Sequence, residues 1–209
     1  DSSNKPRELI ARARQLGLGR LCVTDHNTIR GALAARALDP QLIVVGEEIM
    51  TARGELLGYF LEEEIPPRLS PEETLRRLRA QGAFIAVPHP FDTHRHALNP
   101  RDLDWLAEEA DAFEVFNARC FSARTNEKAA LFTRQYSLAV IAGSDAHSLV
   151  ERGLATLELP AFDNAEQLHA ALKESAISAR RLSVGEHLRA SALIAAGRIA
   201  KATTDALTR

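Results

Sequence analysis

The sequence predicts an α/β fold in which a mostly parallel β-sheet, open or closed as a barrel, is covered by helices. Strand and helix patterns alternate along most of the 209 residues. Several of the strands are short and nearly continuous apolar runs, which is typical of sheets buried on both faces. Acidic and imidazole side chains recur at the carboxyl ends of these strands, where α/β folds build their sites.

Helix signals recur along the chain. An early Pro6 and a terminal Gly17 bound the first run of helically spaced apolar residues, and Ser70-Pro71 with Glu73 forms a capping box before a later one. Apolar periodicity then predicts helices over residues 6–16, 28–38, from 70 onwards, 101–110, 123–136 and 165–174.

Apolar runs of strand length lie between these helices. Arg53-Gly54 is a turn signal between two of the runs, so we expect the run over residues 56–61 to pair with the run over residues 42–46. In chain order, the predicted strands cover residues 20–24, 42–46, 56–61, 83–87, 112–116, 138–142 and 154–159.

Composition excludes several classes of function. The formal net charge of −2 supplies no basic field, so we expect no partnership with long duplex nucleic acid and no membrane partner. Cys22 and Cys120 belong neither to a C-x-x-C pair nor to a disulfide framework, which favours a reducing, cytoplasmic location. The sequence is compatible with either a monomer or an oligomer.

Five side chains at four strand ends form the candidate site: His26, Glu48, His89, Asp145 and His147. A mixture of imidazole and carboxylate without thiolate suits hydrolytic Zn²⁺, Mn²⁺ or Fe²⁺ centres. Each element alone has a simpler explanation, because a single histidine can be structural and Gly-Ser-Asp can be a capped turn. Their recurrence favours a shared site.

Spacing separates direct from supporting roles. Residues two apart in an extended segment point to the same side, so Asp145 and His147 can reach one cavity. Asp25, directly before His26, is expected to hold the imidazole or a neighbouring loop rather than an ion. Arg95 and Arg119 are candidates to bind phosphate, because a guanidinium matches phosphate oxygens bidentately, although either could be a solvated loop arginine.

Five segments together resemble the PHP (polymerase and histidinol phosphatase) family, most closely its small metal-dependent phosphoesterase branch. In chain order they are T-D-H-N-T (24–28), G-E-E-I (46–49), P-H-P-F (88–91), F-E-V-F-N-A-R (113–119) and G-S-D-A-H (143–147). The resemblance extends over residues 1–182, which we assign to one PHP-type domain. Residues 183–209 are an Ala-rich tail for which we expect a helix that packs on the domain or on a second subunit.

The resemblance implies a distorted seven-stranded βα barrel with two or three divalent ions (Mn, Fe or Zn) at its mouth. Its implied metal ligands are Asp1, His26, Glu48, His89, Asp145 and His147, with Glu48 as a bridging carboxylate. It also implies a first strand that carries an H-x-H motif, which we expect before Asp1, outside this sequence. Some relatives have a histidine shortly after the G-x-E motif, where this chain has Glu55-Leu56-Leu57.

The predicted function is hydrolysis of a phosphate ester by a metal-activated hydroxide, with Asp145, His147 and His89 as the catalytic group. The substrate would be a small phosphorylated metabolite, a nucleotide or a short oligonucleotide. Two alternatives stay open: an amidohydrolase-like reaction at a C–N bond, and a PHP-like binding module without catalysis.

Overall fold

The computed structural model describes residues 5–183, 185–190 and 192. The helices are α1 (Pro6–Gln15), α2 (Arg30–Arg36), α3 (Pro71–Ala80), α4 (Pro100–Glu109), α5 (Ala123–Tyr136) and α6 (Ala165–Ala171). The strands are β1 (Leu21–Val23), β2 (Ile43–Thr51), β3 (Gly54–Tyr59), β4 (Phe84–Val87), β5 (Ala112–Asn117), β6 (Val140–Gly143), β7 (Ala155–Glu158) and β8 (Ala176–Ala179). Short 3₁₀ turns lie at Leu149–Glu151 and Leu172–Glu174.

Six strands form one curled, half-barrel sheet in the order β1-β2-β3-β4-β5-β6. The pairs β1–β2, β4–β5 and β5–β6 are parallel, as the alternation of strands and helices predicts. The pairs β2–β3 and β3–β4 are antiparallel. Thr51 pairs with Gly54 across a two-residue turn, and so short a connection can only reverse the chain. The fold is therefore α/β, with a mixed sheet.

Both faces of this sheet are buried. On β4, Ile85 belongs to a cluster that includes Leu78 of α3, whereas Phe84 belongs to a cluster that includes Leu168 of α6. Neighbouring residues on a strand point to opposite faces, so a strand covered on both sides must be apolar throughout. The apolar runs of the sequence therefore indicate this architecture correctly.

Local signals explain where the helices start. The Ser70 hydroxyl accepts a hydrogen bond from the backbone N–H of Glu73 at 3.2 Å, which confirms the predicted cap of α3. Helix α5 begins after Ser122, whose hydroxyl accepts from the N–H of Arg124 at 3.2 Å. Its bounds coincide with those predicted from the sequence.

Two strands differ from the prediction. Strand β2 continues through Glu48 to Thr51, because β3 folds back and pairs with it along its second half. Glu48 therefore lies within a strand rather than at its end. Strand β8, which the apolar pattern does not predict, pairs with β7 in a separate two-stranded sheet, and its four residues are exposed.

The predicted C-terminal helical tail is only partly described, with helix over residues 185–190 and at 192. The remainder of that prediction, and the predicted ligand Asp1, lie outside the described residues. Within the described part of the chain, every helix is too short or too polar to cross a bilayer.

Candidate metal centre

Four side chains from the first four strands converge at one edge of the sheet. His26 follows β1 and forms a parallel bridge with Glu48 of β2. Backbone hydrogen bonds on both sides of His26 fix this bridge, from Glu48 N to Asp25 O (3.3 Å) and from Asn27 N to Glu48 O (3.0 Å). Glu55 lies on β3, and His89 follows β4.

The two carboxylates lie between the two imidazoles. Glu48 places one oxygen 3.6 Å from His26 Nε2 and the other 3.1 Å from His89 Nε2. Glu55 places one oxygen 3.5 Å from His26 Nδ1 and the other 3.6 Å from His89 Nε2. His89, Glu48 and Glu55 are all buried.

These separations fit a divalent cation. Three of the four exceed the length of a hydrogen bond. Nitrogen and oxygen ligands that lie roughly 2.0–2.2 Å from one ion are themselves separated by about 3–3.6 Å. Ligand atoms of His26, Glu48 and Glu55 all lie within 4.8 Å of one another. The donor set and its spacing therefore fit the ions that the sequence predicts.

A second group adjoins the first through β5 and β6. The Glu114 carboxylate accepts hydrogen bonds from the His89 backbone N–H (2.8 Å) and from the Asn117 amide (3.0 Å). The same amide donates to Asp145 at 3.1 Å, and Asp145 also pairs with Arg95. The rings of His147 and His26 lie 6.1 Å apart. The structure thus brings together His26, Glu48, His89, Asp145 and His147.

Two of these residues have strained backbones. His89 has φ +27° and Asp145 has φ +47°. These values lie in the left-handed region, which the backbone of residues other than glycine rarely adopts. Hydrogen bonds hold both in place, at the backbone N–H of His89 and at the carboxylate of Asp145. Strain of this kind concentrates at functional sites.

The surroundings shift the pKa values of the first group. Burial and the neighbouring charge of Glu48 raise the pKa of Glu55 to about 7. Burial alone would raise the pKa of Glu48, but the hydrogen bond with His89 and the nearby His26 lower it overall. Burial opposes charge on His89, yet the hydrogen bond with Glu48 and the charge of Glu114 raise its pKa.

His147 is held as a neutral imidazole. Burial and the positive charge of Arg119 lower its pKa to about 4. Its backbone N–H donates to the Glu151 carboxylate at 3.1 Å, and the Ser148 hydroxyl donates to the same oxygen at 2.6 Å. Glu151 is fully buried and therefore fixes the loop that carries His147.

The remaining predicted residues lie around this centre. Arg95 contacts Asp145 and lies 3.5 Å from Asp92. Arg119 faces the buried Glu151 at 3.3 Å, so its guanidinium pairs with a carboxylate beneath the loop of His147. The Asp25 carboxylate lies against the start of α2, where a Cβ on Gly31 would come within 2.5 Å of it.

Glu55, Glu114 and Glu151 lie in the site or support it, but the sequence analysis gives none of them a role. Glu55 had a signal, since it is a carboxylate in an otherwise apolar strand. Glu114 also had one, because it stands within the F-E-V-F-N-A-R segment. Glu151 had none, because a loop glutamate looks the same whether it is buried or exposed.

A cavity of about 1080 Å³ adjoins the centre. It extends between β1 and β6, the two edges of the curled sheet, and β7 lines it as well. His26, His89 and Asp145 line its polar part, whereas Leu21 and Ile141 line its apolar part. The cavity therefore separates the two edge strands of the curled sheet next to the centre.

Comparison with known proteins gives a consistent result. A family model described as PHP-associated matches residues 123–177. The uncharacterized protein MJ1587 of Methanocaldococcus jannaschii is 41% identical over 121 residues, which cover 56% of this chain and 69% of that protein.

Solved structures share the fold. One is a two-domain protein from Bacteroides vulgatus that contains a predicted PHP-like metal-dependent phosphoesterase; it has a TM-score of 0.68 and 18% identity over 84% of this chain. This chain spans 60% of that protein's length. PsfC from Pseudomonas syringae has a TM-score of 0.63 and 17% identity. The match covers 95% of this chain and 89% of the PsfC chain.

Proposed function

Because the chain belongs to the PHP family, we propose that it is a metal-dependent phosphoesterase that hydrolyses a small phosphate ester. The observation that carries the proposal is the arrangement of Glu48 and Glu55 between His26 and His89, with Asp145 and His147 beside them. Mixed imidazole and carboxylate ligands are typical of hydrolytic centres that hold Zn²⁺, Mn²⁺ or Fe²⁺.

Electrostatics support a role for cations. When they are ionised, the carboxylates of Glu48, Glu55, Glu114 and Asp145 together repel a phosphate anion. Two or three divalent ions would reverse the sign of the local charge. When bound, such ions lower the pKa of a coordinated water and neutralise charge that develops on phosphoryl oxygens.

We assign roles to the chain's own residues on this basis. His26, Glu48, His89, Asp145 and His147 would hold the ions, and Asp1 is retained as a candidate from the sequence. Asp145, His89 and His147 would also form the catalytic group that the sequence predicts.

Arginines would bind the substrate. The Arg95 guanidinium lies at the centre, and an ion bound by Asp145 would leave it available to a phosphate oxygen. Arg119 is the second candidate. Its positive charge lowers the pKa of His147, and its ion pair with Glu151 holds it beneath the site. Asp25 would support the loop between His26 and α2.

The cavity supports a further statement about the fold. We propose that a seventh strand, preceding Asp1 and carrying an H-x-H motif, fills the space between β1 and β6 and closes the barrel. In a chain extended upstream, the edge amides of β1 and β6 should gain protection from hydrogen exchange. Unchanged exchange at both edges would refute this closure.

The experiment that tests the function compares two variants. The purified chain is loaded with Mn²⁺, Fe²⁺ or Zn²⁺ and assayed on a nitrophenyl phosphate monoester, the matching diester and a matching anilide. Asp145→Asn should lower phosphate release at least about 100-fold, as loss of a metal or catalytic ligand does. Asp163→Asn is the control, because Asp163 is exposed and pairs with Arg20 away from the centre.

Three results would overturn the proposal. The first is full phosphatase activity in Asp145→Asn, and the second is cleavage of the anilide but neither ester, which would indicate the amidohydrolase alternative. The third is failure of the metal-supplemented protein, extended upstream to include the predicted H-x-H strand, to retain any ion or activity, which would indicate a binding module without catalysis.

A further inference from the structure

Glu48 and Glu55 lie on the same face of two neighbouring strands. In the β2–β3 register Glu48 is opposite Leu57 and Glu55 is opposite Met50, so the two glutamates are diagonal neighbours on one face of the hairpin. Long side chains reach across such a diagonal. The hairpin therefore delivers two carboxylates to the same place.

Each of these carboxylates spans the same pair of histidines. One oxygen of Glu48 faces His26 and the other faces His89. Glu55 also places one oxygen near each histidine, at His89 Nε2 and at the other ring nitrogen of His26, Nδ1. A carboxylate that uses both oxygens in this way can bind two ions at once, one on the side of each imidazole.

We propose that Glu55 is a second bridging carboxylate and that, together with Glu48, it links an ion held by His26 to an ion held by His89. This inference rests on the proposed function and adds to it a ligand that the sequence analysis does not assign. Because the two bridges share both ions, loss of Glu55 should weaken the binding of both and should separate them electronically.

The burial of Glu55 supports a ligand role over a role in packing. Its side chain is only 3% exposed, and its carboxylate oxygens lie 3.5 Å from His26 Nδ1 and 3.6 Å from His89 Nε2, which is longer than an ordinary hydrogen bond. A buried carboxylate that is ionised and lacks close partners is costly. A pair of bound cations removes that cost.

Glu47 supplies a matched control on the neighbouring strand β2. It is also a fully buried glutamate, but it precedes Glu48 and therefore points to the opposite face of the sheet. There its carboxylate accepts a hydrogen bond from the backbone N–H of Ile65 at 2.9 Å. Glu47→Gln removes a carboxylate from the same hairpin without touching the centre.

The experiment is a titration of the metal-free chain with Mn²⁺, followed by counting of bound ions and by electron paramagnetic resonance. The wild-type chain should bind two ions whose spins are coupled through the bridges. Glu55→Gln should lower the affinity for the second ion at least about tenfold and abolish the coupled signal. Glu55→Asp, which keeps a carboxylate, should restore part of that signal, and Glu47→Gln should match wild type.

Each outcome is decisive. A coupled two-ion spectrum with wild-type affinity in Glu55→Gln would overturn the bridge. A wild-type chain that binds a single ion and still hydrolyses esters would also overturn it, while leaving the proposed function intact. A wild-type chain that binds no ion, even when it is extended upstream to include the predicted H-x-H strand, would defeat both. Circular dichroism of the metal-free variants tests whether each is folded. If Glu55→Gln is not folded, Glu55→Asp is compared with wild type instead.

Discussion

Two adjacent glutamates on β2 show how one residue step changes the role of a side chain. Glu48 faces two histidines at the centre, whereas Glu47 lies in the apolar layer on the other face and contacts the Ile65 backbone. Burial raises the pKa of Glu47 to about 7. The pKa values of the two carboxylates are therefore shifted in opposite directions, although both are glutamates on the same strand.

The first prediction concerns the pH dependence of the free energy of unfolding in the metal-free chain. An unfolded glutamate loses its proton near pH 4.5, whereas folded Glu47 keeps it to about pH 7. The unfolded state therefore binds fewer protons between these values, and this residue makes stability fall as pH rises from about 4.5 to 7. Glu47→Gln should remove a cost on the order of 1–3 kcal/mol at pH 8.

Urea unfolding of both chains at pH 5 and pH 8 measures this effect. The stability of Glu47→Gln relative to wild type should increase with pH, since the amide cannot ionise. A difference that is the same at both pH values would show that Glu47 does not titrate in this range.

At the scale of elements, the β2–β3 hairpin decides where Glu48 and Glu55 lie. Gly54, at the start of β3, has φ +136°, and a Cβ there would lie 2.6 Å from Leu98 Cα. Both the backbone conformation and the close approach require glycine. The turn thus fixes the register that makes the two glutamates diagonal neighbours.

The second prediction is that Gly54→Ala lowers the free energy of unfolding by more than about 1 kcal/mol and weakens Mn²⁺ binding. Gly82→Ala is the matched control: its φ is +67°, but a Cβ there meets nothing within 4 Å. It should cost about 1 kcal/mol or less and leave Mn²⁺ affinity unchanged. Equal effects of the two substitutions on Mn²⁺ affinity would show that the hairpin does not position the centre.

Sequence patterns predict elements better than the pairing between them. Helix α5 is predicted to the residue because its apolar periodicity and the Ser122 cap are both local. The Arg53-Gly54 turn signal correctly predicts that β3 pairs with β2, but the antiparallel pairing of β3 with β4 is missed because apolar strand residues look alike in either direction. Strand β8 is missed because its exposed residues carry no alternation. Pairing depends on distant partners, which a local pattern does not contain.

The same distinction separates the predicted site residues from those missed. His26, His89, Asp145 and His147 stand at the ends of recognisable strands or directly after them, so their convergence follows from the fold class. Glu55 comes from a strand that runs in the opposite direction, so its approach to His26 depends on the β2–β3 register. The position of Glu151 depends on the conformation of the loop after β6, which hydrophobic periodicity does not predict.

At the scale of the whole molecule, the centre joins parts of the chain that are far apart in sequence. His26, Glu55, His89 and Asp145 come from segments that are separated by helices, and each brings charge or imidazole to a single edge of the sheet. Without cations, the carboxylates there repel one another. Ions bound at this point would therefore link β1, β2, β3, β4 and the loop after β6, and would stabilise the folded chain as a unit.

The third prediction follows from this linkage. A ligand that binds only the folded state stabilises it by about 2.7 kcal/mol when its free concentration is 100 times the dissociation constant. For a chain of this length that corresponds to a rise of about 5–10 °C in Tm. Differential scanning fluorimetry should show this rise with Mn²⁺ and its reversal by a chelator. Asp145→Asn and Glu55→Gln should each reduce the rise, whereas Asp163→Asn should retain it. A Tm that does not respond to Mn²⁺ in the wild-type chain would mean that the folded state does not bind the ion, because a ligand specific for that state must raise the melting temperature.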